Sequence, residues 1–325
     1  MYCPRLDHFV RFNSDGSVSR CGHMTNAPMF KTLQQMDASA WLDNARIAMS
    51  HDSWPAECIR CEEIESVGNN SVRQQSLDRH APLLDCRSDY LVLGGVLDNV
   101  CNSACQTCNS ELSTKIGSLH SKEYIKINNS ELIDTLPVER IVQMDINGGE
   151  PSASPNYLKL LENLPPNVKY LRINTNGSRL ITVLPNLINR GIKVTVTVSL
   201  DGIAQIHDYV RWPIKWQDVE KNISAYQDMG LYELNTWTTV SALNIGDLKN
   251  IFTYVQQHKL DHSWALLEQP SILSVKHNNH LTTTADVPEE LKHIVASGED
   301  NTVELQWWTA EQDQLRGINR WEYYQ

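Results

Sequence analysis

From about Leu91 onward, short runs rich in β-branched residues alternate with stretches whose apolar residues recur at helical spacing. This alternation is typical of an α/β fold with a parallel sheet, and right-handed crossovers should place the helices on one outer face. The pattern leaves open whether the sheet stays open or curls into an incomplete barrel. It predicts strands at Tyr90 to Leu97, Arg140 to Ile146, Tyr170 to Asn174, Lys193 to Leu200, Leu234 to Val240 and His262 to Leu267.

The first 80 residues follow a different pattern. Two β runs meet at Ser14-Asp15-Gly16, which favours a hairpin, and the helical stretch SAWLDNARIAMSHD follows. The polar segment from Gly68 to Pro82 predicts a connection. Near the end of the chain, a short helix at PEELKHIVAS precedes an aromatic segment, which we expect to close the open side or the bottom of the sheet. We therefore expect a small module over residues 1–80, a core over residues 88–270 and a helical and aromatic extension over residues 271–325.

Composition and charge narrow the classes of function. The chain has 28 Lys and Arg against 39 Asp and Glu, a net charge of −11, so we expect no non-specific binding to nucleic acid. No apolar run approaches the roughly 20 residues that span a bilayer. The first residues also lack the apolar core of a signal peptide. We therefore expect a cytoplasmic protein that does not act at a membrane.

The eight cysteines all lie in the first third of the chain, and in a reducing compartment they favour metal binding over disulfides. Cys101, Cys105 and Cys108 follow the first predicted strand of the sheet, at the edge where α/β sheets place their chemistry. Three soft thiolates suit an iron–sulfur cube with one iron left open to an added ligand. A structural zinc site is the alternative for this loop.

The segment CNSACQTC resembles the CxxxCxxC loop of the radical SAM (S-adenosylmethionine, SAM) superfamily. The family's core is a partial (βα)6 TIM-type barrel. Three later strand ends resemble its other motifs in the same order: NGGEP, then NTNGS, then SLDG followed by IHDYVR. The resemblance covers about residues 90–270, and it implies a barrel of this kind preceded by a small hairpin-plus-helix module.

The resemblance also implies a set of cofactor contacts. A [4Fe–4S] cluster on the three cysteines of the loop would bind SAM through its open iron. Glu150 is expected to accept a hydrogen bond from the amino group of SAM, and Arg211 to bind its carboxylate. The other SAM contacts that the motifs imply are Gly148, Gly149, Thr175, Asn176, Ser199 and Asp201.

By the same resemblance, reductive cleavage of SAM would yield a 5′-deoxyadenosyl radical that abstracts hydrogen from a substrate. The SLDG and HDYVR segments resemble the peptide-modifying branch, so a peptide or protein substrate is expected, together with a reductant such as flavodoxin or ferredoxin. A small molecule or nucleotide is the alternative substrate, and a non-enzymatic, zinc-stapled α/β binding protein is the alternative of another class. Thr107 departs from the aromatic residue usual in the family, and ELNTWTTVSALN lacks its glycine-rich signature.

Four further cysteines, Cys3, Cys21, Cys58 and Cys61, supply the number of thiolates that fills a [4Fe–4S] cube. Their arrangement around the hairpin resembles the twitch or SPASM module of radical SAM enzymes, which also occurs in the molybdopterin-precursor synthase. It implies a second, auxiliary cluster, here before the barrel instead of after it. A four-cysteine zinc ribbon has the same count and spacing and stays open.

Cys86 is left over, just before the first strand of the sheet. One hypothesis buries it as a small hydrophobe. The other makes it the thiol that returns a hydrogen atom to a substrate radical, as epimerase-type members of the superfamily require.

Polar residues on the strands are the expected substrate contacts at the barrel mouth. They are Gln143, Asp145, Thr236, Thr238 and Glu268.

Overall fold

The computed structural model describes residues 1–120, 124–281 and 287–324. The strands are β1 Phe9–Phe12, β2 Val18–Ser19, β3 Leu91–Val96, β4 Ile141–Asn147, β5 Tyr170–Thr175, β6 Lys193–Ser199, β7 Glu233–Val240 and β8 Asp261–Leu266. The α-helices before β4 are α1 Pro4–His8, α2 Leu33–Asp37, α3 Ala40–Ser50, α4 Ile59–Ser66, α5 Val72–Asp78, α6 His80–Cys86 and α7 Thr114–Leu119. Those after β4 are α8 Pro155–Glu162, α9 Leu184–Asn189, α10 Ala204–Val210, α11 Trp216–Gln227, α12 Leu248–Gln257, α13 Glu289–Ala296 and α14 Thr302–Arg316.

The eight strands form one sheet in the order β2-β1-β3-β4-β5-β6-β7-β8. Strands β3 to β8 pair in parallel, which confirms the predicted α/β pattern and its six strands. The predicted hairpin is also present, as the antiparallel pair β1–β2. Its first strand then pairs in parallel with β3, so the N-terminal hairpin extends the main sheet. A hairpin signal is local, and it carries no information on this distant pairing.

The two faces of the sheet differ in polarity. Since side chains alternate along a strand, Met144 and Ile146 on β4 point to one face, where they join the main apolar core under the helices. We call the opposite face, which carries Gln143, Asp145 and Asn147, the inner face. Register partners on neighbouring parallel strands point the same way, so Arg172 of β5, the partner of Asp145, also lies on the inner face. This polar face is available for binding.

The segment predicted as a connection forms helices α5 and α6, so that prediction was wrong. Ser71 accepts a hydrogen bond from the backbone N–H of Gln74, whose side chain accepts from the N–H of Ser71. This reciprocal capping box starts a helix despite the polar composition, and S-x-x-Q was its signal in the sequence. Leu83 of α6 then packs against Val92 and Val142, at the amino-terminal end of the inner face.

The C-terminal extension packs beside the cysteine loop and not under the bottom of the sheet. Arg316 of α14 donates to the carbonyl of Ala104 over 2.9 Å. Tyr324 donates to the carbonyl of Leu243 over 2.6 Å. The carboxyl-terminal edge of the sheet is therefore covered on one side. Within the described ranges, no helix is long and apolar enough to cross a membrane.

Candidate functional site

The cysteine loop starts directly after β3 and is held by backbone hydrogen bonds. The N–H groups of Ala104 and Gln106 donate to carbonyls of Trp212 and Val210, over 2.7 and 2.8 Å. The Ser103 hydroxyl lies between two thiols, 3.2 Å from Cys101 Sγ and 3.4 Å from Cys105 Sγ. These hydrogen bonds fix the path of the loop backbone and the positions of two of its thiols.

The three thiols of this loop interact electrostatically. Burial, and then the charges of Cys105 and Cys101, raise the pKa of Cys108 to about 12. Burial and then Cys105 also raise the pKa of Cys101. Thiolates this close repel one another until a cation or a cationic cluster compensates them, and metal binding then releases their protons.

The NGGEP segment after β4 touches this loop through its backbone. Gly149 has a φ of +55°, and a Cβ atom there would lie 2.7 Å from the carbonyl oxygen of Val100. The next N–H, of Glu150, donates to that same oxygen over 2.8 Å. Glycine is required at this position because both the positive φ and the close approach exclude a side chain.

Glu150 is 1% exposed and ties the second motif to the third. Its Oε1 accepts from the Thr175 hydroxyl over 2.7 Å, and its Oε2 accepts from the Asn176 N–H over 2.6 Å. The Asn176 side chain in turn donates to Asn102 of the cysteine loop over 2.8 Å. Asn102 had not been singled out in the sequence, because an asparagine between cysteines is unremarkable without its partner.

The fourth motif contributes a buried ion pair. Asp201 Oδ2 accepts from Arg211, and Asp201 Oδ1 accepts from the Thr239 N–H over 2.8 Å. Burial lowers the pKa of Arg211, but the neighbouring charges of Cys105 and Asp201 raise it by more, so the net shift is upward. The Nε atom of Arg211 is buried and has no hydrogen-bond partner among the described residues. The guanidinium thus faces the cysteine loop with a donor to spare.

Residues 97–255, just under half of the chain, match the family described as the radical SAM superfamily. These residues form a radical SAM domain. The match includes the cysteine loop and all three later motifs. This family implies a [4Fe–4S] cluster and SAM.

Curated relatives match over the same part of the chain. Mycofactocin maturase MftC of Mycobacterium ulcerans is 25% identical over 154 residues, which are 47% of this chain and 40% of the relative. The Mycobacterium tuberculosis protein of that name is 22% identical over 164 residues, 50% of this chain and 41% of the relative. The chain thus spans less than half the length of these relatives.

Among solved structures, Streptococcus suis SuiB bound to the precursor peptide SuiA is similar to this chain. The sequences are 14% identical, the TM-score is 0.43, and the alignment covers 97% of this chain and 70% of SuiB. SuiB has also been solved with S-adenosylmethionine, and that structure aligns with a TM-score of 0.40 at 15% identity.

Outside the radical SAM domain, the four N-terminal cysteines come together. Cys3, Cys21, Cys58 and Cys61 are each only 7% or 8% exposed. Burial, and then the charges of Cys3, Cys21 and Cys61, raise the pKa of Cys58 to about 12. Among the described residues, no group of three or more His, Cys, Asp or Glu side chains is arranged to hold a single metal ion. An iron–sulfur cube does not need such a group, because each of its thiolates binds a different iron atom.

Cys86 is not brought to either group of cysteines. Its thiol is exposed, so the prediction that it is buried as a small hydrophobe was wrong. Cys86 ends α6, before β3, whereas the loop that carries Cys101 follows β3. The six residues of β3 span about 20 Å, so the strand separates Cys86 from that loop. The structure therefore gives no geometrical support to a hydrogen-donor role.

Two of the expected mouth residues point away from the inner face. Thr236 and Thr238 are fully buried, and Thr238 donates to the carbonyl of Leu200. Trp237 faces inward instead, because it is the register partner of Ser199, and both line a cavity of about 310 Å³ with Asp145. The prediction of the inward-facing residues of β7 was therefore wrong by one position. Polar residues stand at both odd and even positions of ELNTWTTV, so the sequence does not show which set faces inward.

His207, within the HDYVR segment of the radical SAM domain, gives a pH-dependent prediction. Burial and then the charge of Arg211 lower the pKa of His207 to about 3, against about 6.5 in an unfolded chain. Between these values only the unfolded chain binds the proton, so stability falls as the pH drops, by up to about 1.4 kcal/mol per pH unit. His207→Phe should flatten this dependence in urea denaturation across the range. His51→Gln, at an exposed position, should leave it unchanged; equal slopes in both variants would contradict the prediction.

Proposed function

We propose that this chain is a radical SAM enzyme that abstracts hydrogen from a peptide or protein substrate. The observation that carries the proposal is the meeting of four strand-end motifs at one loop. Gly149 lies against Val100, Asn176 bonds Asn102, and the charge of Arg211 interacts with Cys105. Turns that served only to reverse the chain would not need these mutual contacts.

The residues present fit a cluster and SAM. Cys101, Cys105 and Cys108 would hold a [4Fe–4S] cluster, and the free Nε donor of Arg211 suits the carboxylate of SAM. Glu150 keeps acceptor capacity on Oε2, where it receives one hydrogen bond from the described residues. When bound, this pair supplies reductive cleavage of the sulfonium C–S bond to a 5′-deoxyadenosyl radical. The chain itself orients SAM, keeps Asp201 and Arg211 paired and limits access of water.

We infer that the sheet curls into a partial (βα)6 barrel with the N-terminal module at its rim. Arg60 of α4, next to Cys61, lies 3.4 Å from Glu268, which follows β8. Arg60 belongs to the N-terminal module, beside the β2-β1 edge of the sheet, whereas Glu268 lies at the β8 edge. The ion pair therefore joins the two edges of the sheet. A flat sheet would keep β1 and β8 far apart.

The peptide assignment rests on three features. The curated relatives are named as maturases, and the SLDG and HDYVR segments resemble the peptide-modifying branch. The inner face also offers open, polar cavities between the strand ends, where an extended chain could enter.

We further propose that Cys3, Cys21, Cys58 and Cys61 hold an auxiliary [4Fe–4S] cluster. The four thiols are buried together, and burial and the neighbouring thiolate charges raise the pKa of Cys3 and of Cys58, so a cationic metal group would stabilise the site. Next to Cys61, Arg73 and Glu65 form a largely buried ion pair that fixes the end of α4 against α5. The cluster would relay electrons from a reductant such as flavodoxin or ferredoxin, or would bind the substrate.

Anaerobic purification tests the proposal. A brown protein with about seven to eight irons per chain, matching two clusters, that forms 5′-deoxyadenosine from SAM and dithionite is the expected result. A colourless protein that contains zinc and does not cleave SAM would overturn it in favour of the zinc-stapled binding protein.

Replacing Cys58 and Cys61 with alanine should remove only the auxiliary cluster. The expected result is a loss of about four irons per chain, with the cluster of the radical SAM domain retained, because the two sets of thiols are separate. Iron analysis and the EPR spectrum of the reduced protein measure it. Cys86→Ala is the matched control and should keep both clusters. An unchanged iron content in the double variant would show that no cluster is bound there.

A further inference from the structure

Two neighbouring cavities lie along the inner face of the sheet. One, of about 220 Å³, lies toward the amino-terminal ends of the strands and is lined by Arg79 of α5–α6, Gln143 and Arg172. Arg172 also lines the cavity of about 310 Å³ that holds Ser199 and Trp237. The two cavities therefore have Arg172 in common, and the second lies nearer the strand ends, because Asn147, Asn174 and Ser199 also line it.

Two guanidinium groups in this region have no ion-pair or hydrogen-bond partner among the residues that the structure describes: Arg79 and Arg172. Carboxylates are also close: Asp78 and Glu233 line the same cavity, and Asp145 lines the next one. Asp145 accepts from the Gln143 amide over 2.7 Å, and Glu233 accepts from the Thr195 hydroxyl over 3.1 Å. The donors of both arginines are thus free to bind a ligand.

The two arginines also repel each other. Burial and then the charge of Arg172 lower the pKa of Arg79, while Asp145 and Glu233 act in the opposite direction. Like charges that share a partly desolvated cavity are costly unless an anion lies between them. Since guanidinium groups bind carboxylates through paired N–H donors, a bound carboxylate would remove this repulsion.

We propose that Arg79 and Arg172 bind a carboxylate of the substrate and thereby fix which of its atoms faces the radical site. This inference rests on the proposed function. Arg172 precedes Thr175, at the strand end, by three residues, or about 10 Å along β5. The anchored carboxylate would therefore place the reacting carbon within one or two residues of the acidic group.

Binding of small probes to the anaerobically purified protein tests this inference. The probes are acetyl-Ala-Ala with a free carboxylate, its C-terminal amide, acetyl-Glu-amide and inorganic phosphate, titrated by calorimetry at equal ionic strength. We expect a carboxylate probe to bind at least about tenfold more tightly than the amide, the cost of losing a charge-assisted hydrogen bond. If acetyl-Ala-Ala binds more tightly, the site takes a C-terminal carboxylate. If acetyl-Glu-amide binds more tightly, it takes a side-chain carboxylate.

Arg172→Gln and Arg79→Gln should each abolish the difference between acid and amide, whereas Arg190→Gln, at an exposed position, should preserve it. Equal binding of acid and amide by the unmodified protein would overturn the inference, as would tighter binding of phosphate or a difference that survives in Arg172→Gln. Formation of 5′-deoxyadenosine by the same preparation shows whether the proposed function itself still stands.

Discussion

Replacing Cys101, Cys105 and Cys108 together with alanine should abolish formation of 5′-deoxyadenosine from SAM and remove about four irons per chain. Alanine supplies no thiolate to bind the irons of the cluster. The loop around them is held by Trp212, Val210 and Arg316 through its backbone, so it should keep its shape when the sulfur atoms are lost. The loss should therefore be one of cofactor and activity and not of fold.

Three measurements on the triple variant separate these effects. Iron analysis and product chromatography report the cluster and the reaction, while far-UV circular dichroism reports the fold. Cys86→Ala is the matched control, since it removes an exposed thiol at the opposite edge of the sheet. Retention of SAM cleavage in the triple variant would exclude this loop as the cluster site.

Asp201→Ala should lower the free energy of unfolding by about 3–5 kcal/mol, because it leaves the buried charge of Arg211 without its partner. The carboxylate side chain is 2% exposed and that of Arg211 13% exposed, so water cannot compensate the charge. The N–H of Thr239 also loses its acceptor. A loss of this size is a large fraction of the stability of an ordinary domain.

The control is a pair of the same chemistry at the surface. Asp89→Ala removes the partner of Arg87, whose side chain is 36% exposed, and should cost at most about 1 kcal/mol. Arg211→Met in addition to Asp201→Ala should recover part of the stability, since it removes the unpaired charge. Urea denaturation measures all four proteins. Equal losses for the Asp201 and Asp89 variants would show that burial does not strengthen this pair.

Much of the radical SAM domain could be predicted from local patterns. The six strands of the sheet followed from runs of β-branched residues, and the motifs at their ends followed from short segments such as NGGEP and CNSACQTC. Such signals lie within a few adjacent residues, so they do not depend on how distant parts pack.

Predictions failed where two distant segments decide the outcome. The register of β7 against β6 turns Trp237 inward and Thr236 outward, and no pattern within β7 contains that register. Helices α5 and α6 were hidden by polar composition, although the capping box at Ser71 was present. The exposure of Cys86 likewise follows from where α6 packs.

By itself, the sequence determined the six parallel strands, the cysteine sets and the motifs at the strand ends, because spacing along the chain encodes them directly. Only the tertiary structure decided that Asn102 joins Asn176, that β1 extends the main sheet and that Arg79 and Arg172 share one cavity. These contacts join residues far apart in the chain, and their free energy depends on burial and on charges brought together by folding.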